Sequence, residues 1–274
     1  MPGQRRMARR NPSLIAGGAI VAMLALAAAL GPLLVRIDPL AIDLTRMLAP
    51  PGPGHWLGCD ALGRDMLARV LWGARLSLIV STSVVLLSLA AGSIVGGAAA
   101  LAGGRVDSVV MRLVDVVLAF PGFLLAIALA AILGPGLIDL VVALTAMGWT
   151  GYARLVRGEV LSLREREYVQ AAHALGAPPG RLLFRHLLPG LAGPVAVQAT
   201  FGVGGIIIAE AALSFLGLGA LPPAPSWGNM LDTGRAFLLV APHLTTAPGV
   251  AIGASVLGFN LLGDGLAQAA GRRD

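Results

Sequence analysis

Lysine is missing from this chain, and all 20 of its basic residues are arginine. A phosphate-binding P-loop needs a lysine on the nucleotide, so an ordinary P-loop ATPase is excluded. Enzymes that work through a Schiff base or a lysine base are excluded with it. The single cysteine, Cys59, cannot form an internal disulfide, and no Cys/His cluster has zinc spacing. The four histidines, His55, His173, His186 and His243, are scattered. Charge is scarce at 12% of the 274 residues. Apolar residues make up 57% and the mean hydropathy is +0.83, which points to a polytopic membrane protein rather than a soluble domain. The net charge of +6 could suggest nucleic acid. The arginines crowd beside hydrophobic segments, however, where anchoring and orientation in a bilayer explain them better.

A spanning helix needs about 20 mainly apolar residues. Six segments qualify: 13–35, 76–102, 116–133, 137–153, 191–216 and 244–262. The third and fourth are separated by the breaker Gly134-Pro135-Gly136, and Pro121 is expected to bend the third. The first segment follows Arg5, Arg6, Arg9 and Arg10 and could be misread as a signal peptide. Its apolar run is too long for that, and five more spans follow. The Arg9-Arg10 pair fits a twin-arginine signal poorly.

Orientation follows from the arginines. Four lie on the N-terminal tail, and residues 154–186 carry six against three glutamates. With an even number of spans both fall on one side with Arg272 and Arg273, and the positive-inside rule makes that side the cytoplasm. The segments 36–75 and 217–243 then face outward. The expected organisation is a basic tail 1–12, a first span 13–35 and an external loop 36–75. A membrane-spanning core 76–263 follows, containing a cytoplasmic loop 154–190, and a cytoplasmic tail 264–274 ends the chain.

In the external loop, Ala49-Pro50-Pro51-Gly52-Pro53-Gly54 reads as a stiff connector. Residues 55–78 then read as an amphipathic helix with Asp60 as N-cap. Asp60/Arg64 and Asp65/Arg69 would be i, i+4 pairs, and Leu62, Met66, Leu67, Val70, Leu71 and Ala74 an apolar stripe. Such a helix could anchor at the headgroups or receive a partner protein. Within the spans, Gly92-Ser-Ile-Val-Gly96 and Gly202, Gly204 and Gly205 are small residues of the kind that bring helices together, against a background of high Ala and Gly usage. Glu210 is the one acid well inside a span, a candidate either for the translocation path or for structural hydrogen bonding. Asp115 and Asp139 lie at span edges.

The polar middle of the chain is the segment EYVQAAHALGAPPGRLLFRHLLPG, residues 167–190. Tyr168, Ala171, Ala172 and Leu175 follow i, i+3, i+4, i+7 and make one apolar stripe, with Arg166, Gln170 and His173 opposite. Gly176 provides a C-terminal stop, and Ala177-Pro178-Pro179-Gly180 turns the chain. A second short helix follows, with Arg181 and Arg185 one turn apart beside Leu183, Phe184 and Leu187, and Pro189 closes it. The stripe could enter a groove of a partner protein or lie flat on the bilayer.

These residues carry a family resemblance. QAAHALG, nine residues, then HLLP resembles the cytoplasmic EAA signature of permeases in binding-protein-dependent ABC importers. Ala171, Ala172, Gly176, Leu188 and Pro189 match its positions, Gln170 replaces its Glu, and His186 its Ile. HWLGCDALGRDMLARVLWGARLSL, DVVLAFPGFLLAIAL, AEAALSFLGLG, PSWGNML and FNLLGDGL look like the dipeptide, oligopeptide and nickel branch, with Cys59 where Thr is usual. The tail after Asp264 departs from that branch's usual ending.

The resemblance implies an all-α polytopic fold, type I-like, with about six transmembrane helices and a cytoplasmic helix-turn-helix coupling loop. The coupling residues would be Tyr168, Gln170, Ala171, Ala172, Leu175, Gly176, Arg181, Leu188 and Pro189. The chain would be an inner-membrane subunit with both termini cytoplasmic, binding no cofactor itself and performing no hydrolysis. Its partners would be a homologous second permease, ATPase subunits carrying ATP and Mg, an extracytoplasmic solute-binding protein and membrane lipid. The expected cargo is a di- or oligopeptide, with nickel or another small solute as the alternative. An ion-coupled secondary transporter would commonly keep several ionisable or broken-helix sites at mid-membrane, and this chain offers Glu210 alone. An intramembrane enzyme would need a metal-spaced His pair or facing aspartates, and neither occurs in the sequence.

Overall fold

A computed structural model of the chain describes residues 11–35, 37–182, 185 and 188–270. Among the described residues there are ten α-helices, one 3-10 turn (Leu44–Arg46) and no β-strand. Helix α1 spans Pro12–Leu34. Asn11 caps it, its Oδ1 accepting from Leu14 N at 3.3 Å, and Pro12 opens the first turn, where a missing N–H costs nothing. The Asn11 amide also donates to the Gly265 carbonyl at 2.9 Å, tying the start of α1 to α10 (His243–Ala270). A Cβ on Gly17, Gly258 or Gly265 would clash with the facing helix, so these glycines set how closely α1 and α10 pack. The other flank of α1 exposes Met23 and Leu33, as a lipid-facing helix does.

Helix α2 spans Met66–Ala102, 37 residues in one piece. Its start differs from the sequence expectation. Asp65, not Asp60, is the N-cap and accepts from Ala68 N at 2.7 Å. Asp60 instead closes the preceding turn, accepting from Leu62 N at 2.8 Å and Arg64 N at 3.0 Å while pairing with Arg64 Nε at 2.7 Å. The expected Asp65/Arg69 pair is replaced. Asp65 binds His55 Nδ1 at 2.7 Å, and Arg69 turns to Asp60 at 3.5 Å and to the Pro39 carbonyl at 3.3 Å. There is therefore no separate amphipathic helix over residues 55–65. Met66 and Ala74 of the expected stripe are buried in the bundle, and Leu62 is exposed on the turn before the helix.

The third span is also corrected. Helices α3 (Gly104–Ala119) and α4 (Gly122–Leu133) meet at 86°, so residues 116–133 are not one rod. Pro121 pushes the preceding residue out of the helical region, and Phe120 sits at φ −80°, ψ 141°. Twelve residues of α4 rise about 18 Å, less than the ~30 Å hydrocarbon core. Helix α5 runs over Leu137–Arg164, eleven residues past the expected end at 153. Among the described residues, helices α1, α2, α8 and α10 are each long and apolar enough to span, and the bent pair α3–α4 is a fifth if its two arms are one broken span. Helix α5 is about 42 Å long and packs along α2.

The α2–α5 seam is where the Gly92/Gly96 pair acts. A Cβ at Gly92 would lie 2.5 Å from the Trp149 carbonyl, and one at Gly96 would collide with Ala153, so both positions require the bare backbone. Helix α8 (Leu188–Phe215) packs on α2, α5 and α10. A short helix α9 (Trp227–Arg235) was not foreseen in the loop 217–243. Ser226 caps it, and Trp227 donates to the Val70 carbonyl at 3.0 Å, pinning it to α2. Helix α10 continues to Ala270, so residues 264–270 are helix rather than tail.

Candidate coupling site

At the arginine-rich end, α5 stops at Arg164 and the chain re-enters a helix at α6 (Glu167–Ala174), followed by the single turn α7 (Pro179–Arg181). What holds α6 in place is a small apolar cluster. Val169 (3% exposed) and Leu182 (7%) pack with Ala100, Val156, Val160, Leu163 and Leu191, and Ala172 and Ala177 pad it. Val169 lies beside the expected stripe rather than in it. The core takes Val169 and Ala172, and that rotation leaves Tyr168, Ala171 and Leu175 outward. Tyr168 is 47% exposed and Leu175 88%. Arg166, Gln170 and Arg181 are exposed too, so the polar side of α6 is free as well as its apolar stripe.

Gly176 ends the helix as its position in the sequence requires. Its φ is +79°, a conformation that costs an L residue with a side chain about 1–2 kcal/mol. Leu175 N donates to the Ala171 carbonyl at 3.0 Å and Ala177 N to the Ala172 carbonyl at 3.1 Å, the 6→1 closure of a Schellman motif. Gln170 donates its amide to the Glu165 carbonyl at 3.3 Å. An ionised glutamate, an acceptor only, could not make that bond, so the departure from the family's Glu has a local use. Pro189 is exposed in the first turn of α8, which begins at Leu188; it opens α8 instead of closing a second short helix. Residues 183, 184, 186 and 187, the side chains of His173 and Leu188 and the arginines of both termini lie outside the described residues.

A set of arginines braces the stem behind this hairpin. Arg157 grips Asp107 of α3 with Nε at 2.5 Å and Nη2 at 2.6 Å, Arg154 meets Asp115 at 2.6 Å, and Arg164 donates to the Ala100 carbonyl at 2.7 Å. A bidentate guanidinium–carboxylate pair fixes orientation as well as distance. Asp115 thus has a specific partner beyond its place at a boundary, and sequence reasoning missed Asp107 altogether. These bonds tie the end of α5, next to α6, to α2 and α3.

Glu210 is placed elsewhere. It is fully buried near the far end of α8. Its carboxylate accepts from Ser77 of α2 at 2.8 Å, Ser214 of its own helix at 3.0 Å and Ser226, the cap of α9, at 3.3 Å. Three hydroxyls satisfy the buried carboxyl group and bind three helices together, the structural alternative left open by the sequence.

A bundle of long apolar helices with a helical hairpin exposed at one end is the architecture of a polytopic membrane protein. The family model described as binding-protein-dependent transport system inner membrane component matches residues 68–273, and the chain belongs to that family, the permease subunits of ABC importers. It is 42% identical over 265 residues to a glutathione transport system permease protein, GsiD, of Pectobacterium atrosepticum, with 97% of this chain and 88% of that protein covered. It is also 42% identical over 261 residues to a dipeptide transport system permease protein, DppC, of Alkalihalophilus pseudofirmus, covering 95% and 86%. The backbone resembles a chain of the inward-facing MetNI methionine ABC transporter with a TM-score of 0.62 at 18% identity, over 74% of this chain and 97% of that one. The fold is that of a type I ABC importer permease, set in the inner membrane as a multi-pass protein. Family membership implies an ATPase and a solute-binding protein as working partners.

Proposed function

We propose that this chain is the permease subunit of an importer for di- or oligopeptides, a class that includes the cargo named for its glutathione and dipeptide relatives. It pairs with a homologous second permease, and both termini lie in the cytoplasm together with the hairpin 165–187. Helix α6 docks on an ATPase subunit, which carries ATP and Mg; the chain itself binds no cofactor. Closure of the ATPases around ATP then moves α5 and the helices braced to it. Tyr168, Ala171 and Leu175 form the docking face, Gln170 stands exposed beside it and Ala172 pads the cluster behind, while Gly176, Arg181, Leu188 and Pro189 shape the turn and its return to α8.

The observation that carries this reading is the exposed apolar face of α6. Tyr168, Ala171 and Leu175 stand outward on a helix whose other side is anchored by Val169. An apolar helix face held rigidly clear of its own core is suited to a groove in another protein. The test is a thiol cross-link from Leu175→Cys in the assembled importer. A product containing the ATPase supports the docking role; labelling that reaches lipid alone, or a hairpin accessible only from outside the cell, refutes it. Calorimetry on the co-purified solute-binding protein separates peptide from nickel.

A further inference from the structure

Midway along the bundle, α2, α5 and α8 border a half-open cavity of about 230 Å³ walled by Ser88, Gly148, Tyr152, Gln198, Gly202 and Gly205, among others. Ser88 is 1% exposed and Tyr152 5%, and neither hydroxyl has a hydrogen-bond partner among the described residues. Buried polar groups are nearly always partnered, so two such hydroxyls in one wall point to a partner that arrives from outside the chain. Glycines make the room they need. A Cβ at Gly148 would lie 2.5 Å from Ser88 Oγ, and one at Gly202 2.5 Å from Tyr152 Oη.

Gln198, Gly202 and Gly205 follow i, i+4, i+7 on one face of α8, and Gln198 and Gly205 are exposed. Gln198 lies ten residues into α8, about 15 Å along it, where an amide facing hydrocarbon is costly. That face is therefore suited to water or a polar guest rather than to lipid. A second cavity of about 310 Å³ adjoins the first through Gly148 and Ile206 and is walled by Phe120, Phe123, Leu144 and Met147. Glu210 lines neither chamber.

We infer that these paired chambers are this chain's wall of the translocation path and that they receive a short peptide. Ser88 and Tyr152 donate to peptide carbonyls, the Gln198 amide both donates and accepts, and the Phe120–Phe123–Met147 chamber takes an apolar side chain. The 310 Å³ chamber falls within the range of small-ligand sites, about 300–1,000 Å³, and the 230 Å³ chamber shares Gly148 and Ile206 with it. The inference rests on the peptide-importer reading above and adds the residues that would meet the cargo.

The test uses the whole importer in proteoliposomes with Gly205→Cys, a position with open space around its Cβ. Gly253→Cys on α10, equally open, is the comparison, and the wild-type chain with its buried Cys59 sets the background. The Gly205→Cys thiol is expected to react with a charged, water-borne methanethiosulfonate. Its rate should differ severalfold between nucleotide-free and vanadate-trapped importer, and glutathione or Ala-Ala delivered by the binding protein should slow it. Gln198→Leu should lower uptake of the same probes about tenfold while binding-protein-stimulated ATP hydrolysis persists. Reaction with lipid-soluble maleimide only, or a cross-link to the second permease in every state, overturns the path. State-dependent labelling that neither peptide slows overturns the peptide as occupant. Failure of the α6 cross-link strikes the coupling role instead.

Discussion

Leu175 offers a clean perturbation because its own fold does not use it. At 88% exposure it contributes almost no buried area to the chain, so Leu175→Ala leaves the permease as stable as before. Burying a whole leucine side chain against a partner stabilises association by about 1.5–3 kcal/mol, and truncation to alanine removes most of that. A loss of about 1.4–2 kcal/mol weakens docking roughly 10- to 30-fold. The assay is the Kd of detergent-solubilised permease for its ATPase, with coupled uptake measured in proteoliposomes. Thermal unfolding of the isolated permease should not change, which separates docking from folding. An unchanged Kd with unchanged uptake would refute the claim that this face is the grip. Loss of permease stability would show that the leucine is packed against something within the chain.

Gly176→Ala forces a side chain into φ +79° with nothing for its Cβ to touch, so the strain of about 1 kcal/mol is purely backbone. Uptake per ATP hydrolysed should fall, with membrane insertion normal on fractionation, and Gly176→Asn should be milder. Glu210→Ala strips three buried serine hydroxyls of their acceptor at a cost of about 1–3 kcal/mol for each group left unpaired. A clear drop in thermal midpoint is expected, smaller for Glu210→Gln, and an unchanged midpoint with altered cargo selectivity would return Glu210 to the path. Cys59 is fully buried, and burial, aided by Asp65 and Asp60, pushes its thiol pKa above the usual range. Alkylation at pH 7 to 8 should therefore be at least about tenfold slower than for a free thiol and rise as pH climbs, the neutral form being the inert one. Fast labelling of the folded protein would contradict that packing.

The apolar runs were legible in sequence because the bilayer sets one length for all of them. Helix α1 begins and ends within a residue of the run that foretold it. What the sequence hid were the positions where a polar residue has a distant partner. Arg154 and Arg157 look like the start of a loop until Asp115 and Asp107, some 40 and 50 residues away, neutralise them and let α5 run on to Arg164. Glu210 read as open to two roles because Ser77 is 133 residues distant. Asp60 and Asp65 are both plausible caps by composition, and the choice depends on His55 and Arg69, which the local pattern cannot weigh. In the hairpin, the Gly176 stop needed only φ freedom and was readable. The inward turn of Val169 was not, since it depends on Leu163, Leu182 and Leu191 from three other segments.

Helix α5 links the two sites. Its arginine-braced end supports α6, and Tyr152, about 18 Å before Arg164 along the same rod, stands in the wall of the chamber that Ser88 and Gln198 line. A helix held to α2 by bare-backbone contacts at Gly92 and Gly96 resists bending between them, so on the proposed coupling role a displacement at the hairpin would reach Tyr152 as a rigid shift. The facing wall belongs to α8, which starts at the other side of the same hairpin at Leu188. Both walls of the polar chamber are thus rooted in the segment proposed to be gripped by the ATPase. Moving that segment would alter the separation of Tyr152 from Gly202, and with it the room for a guest between them.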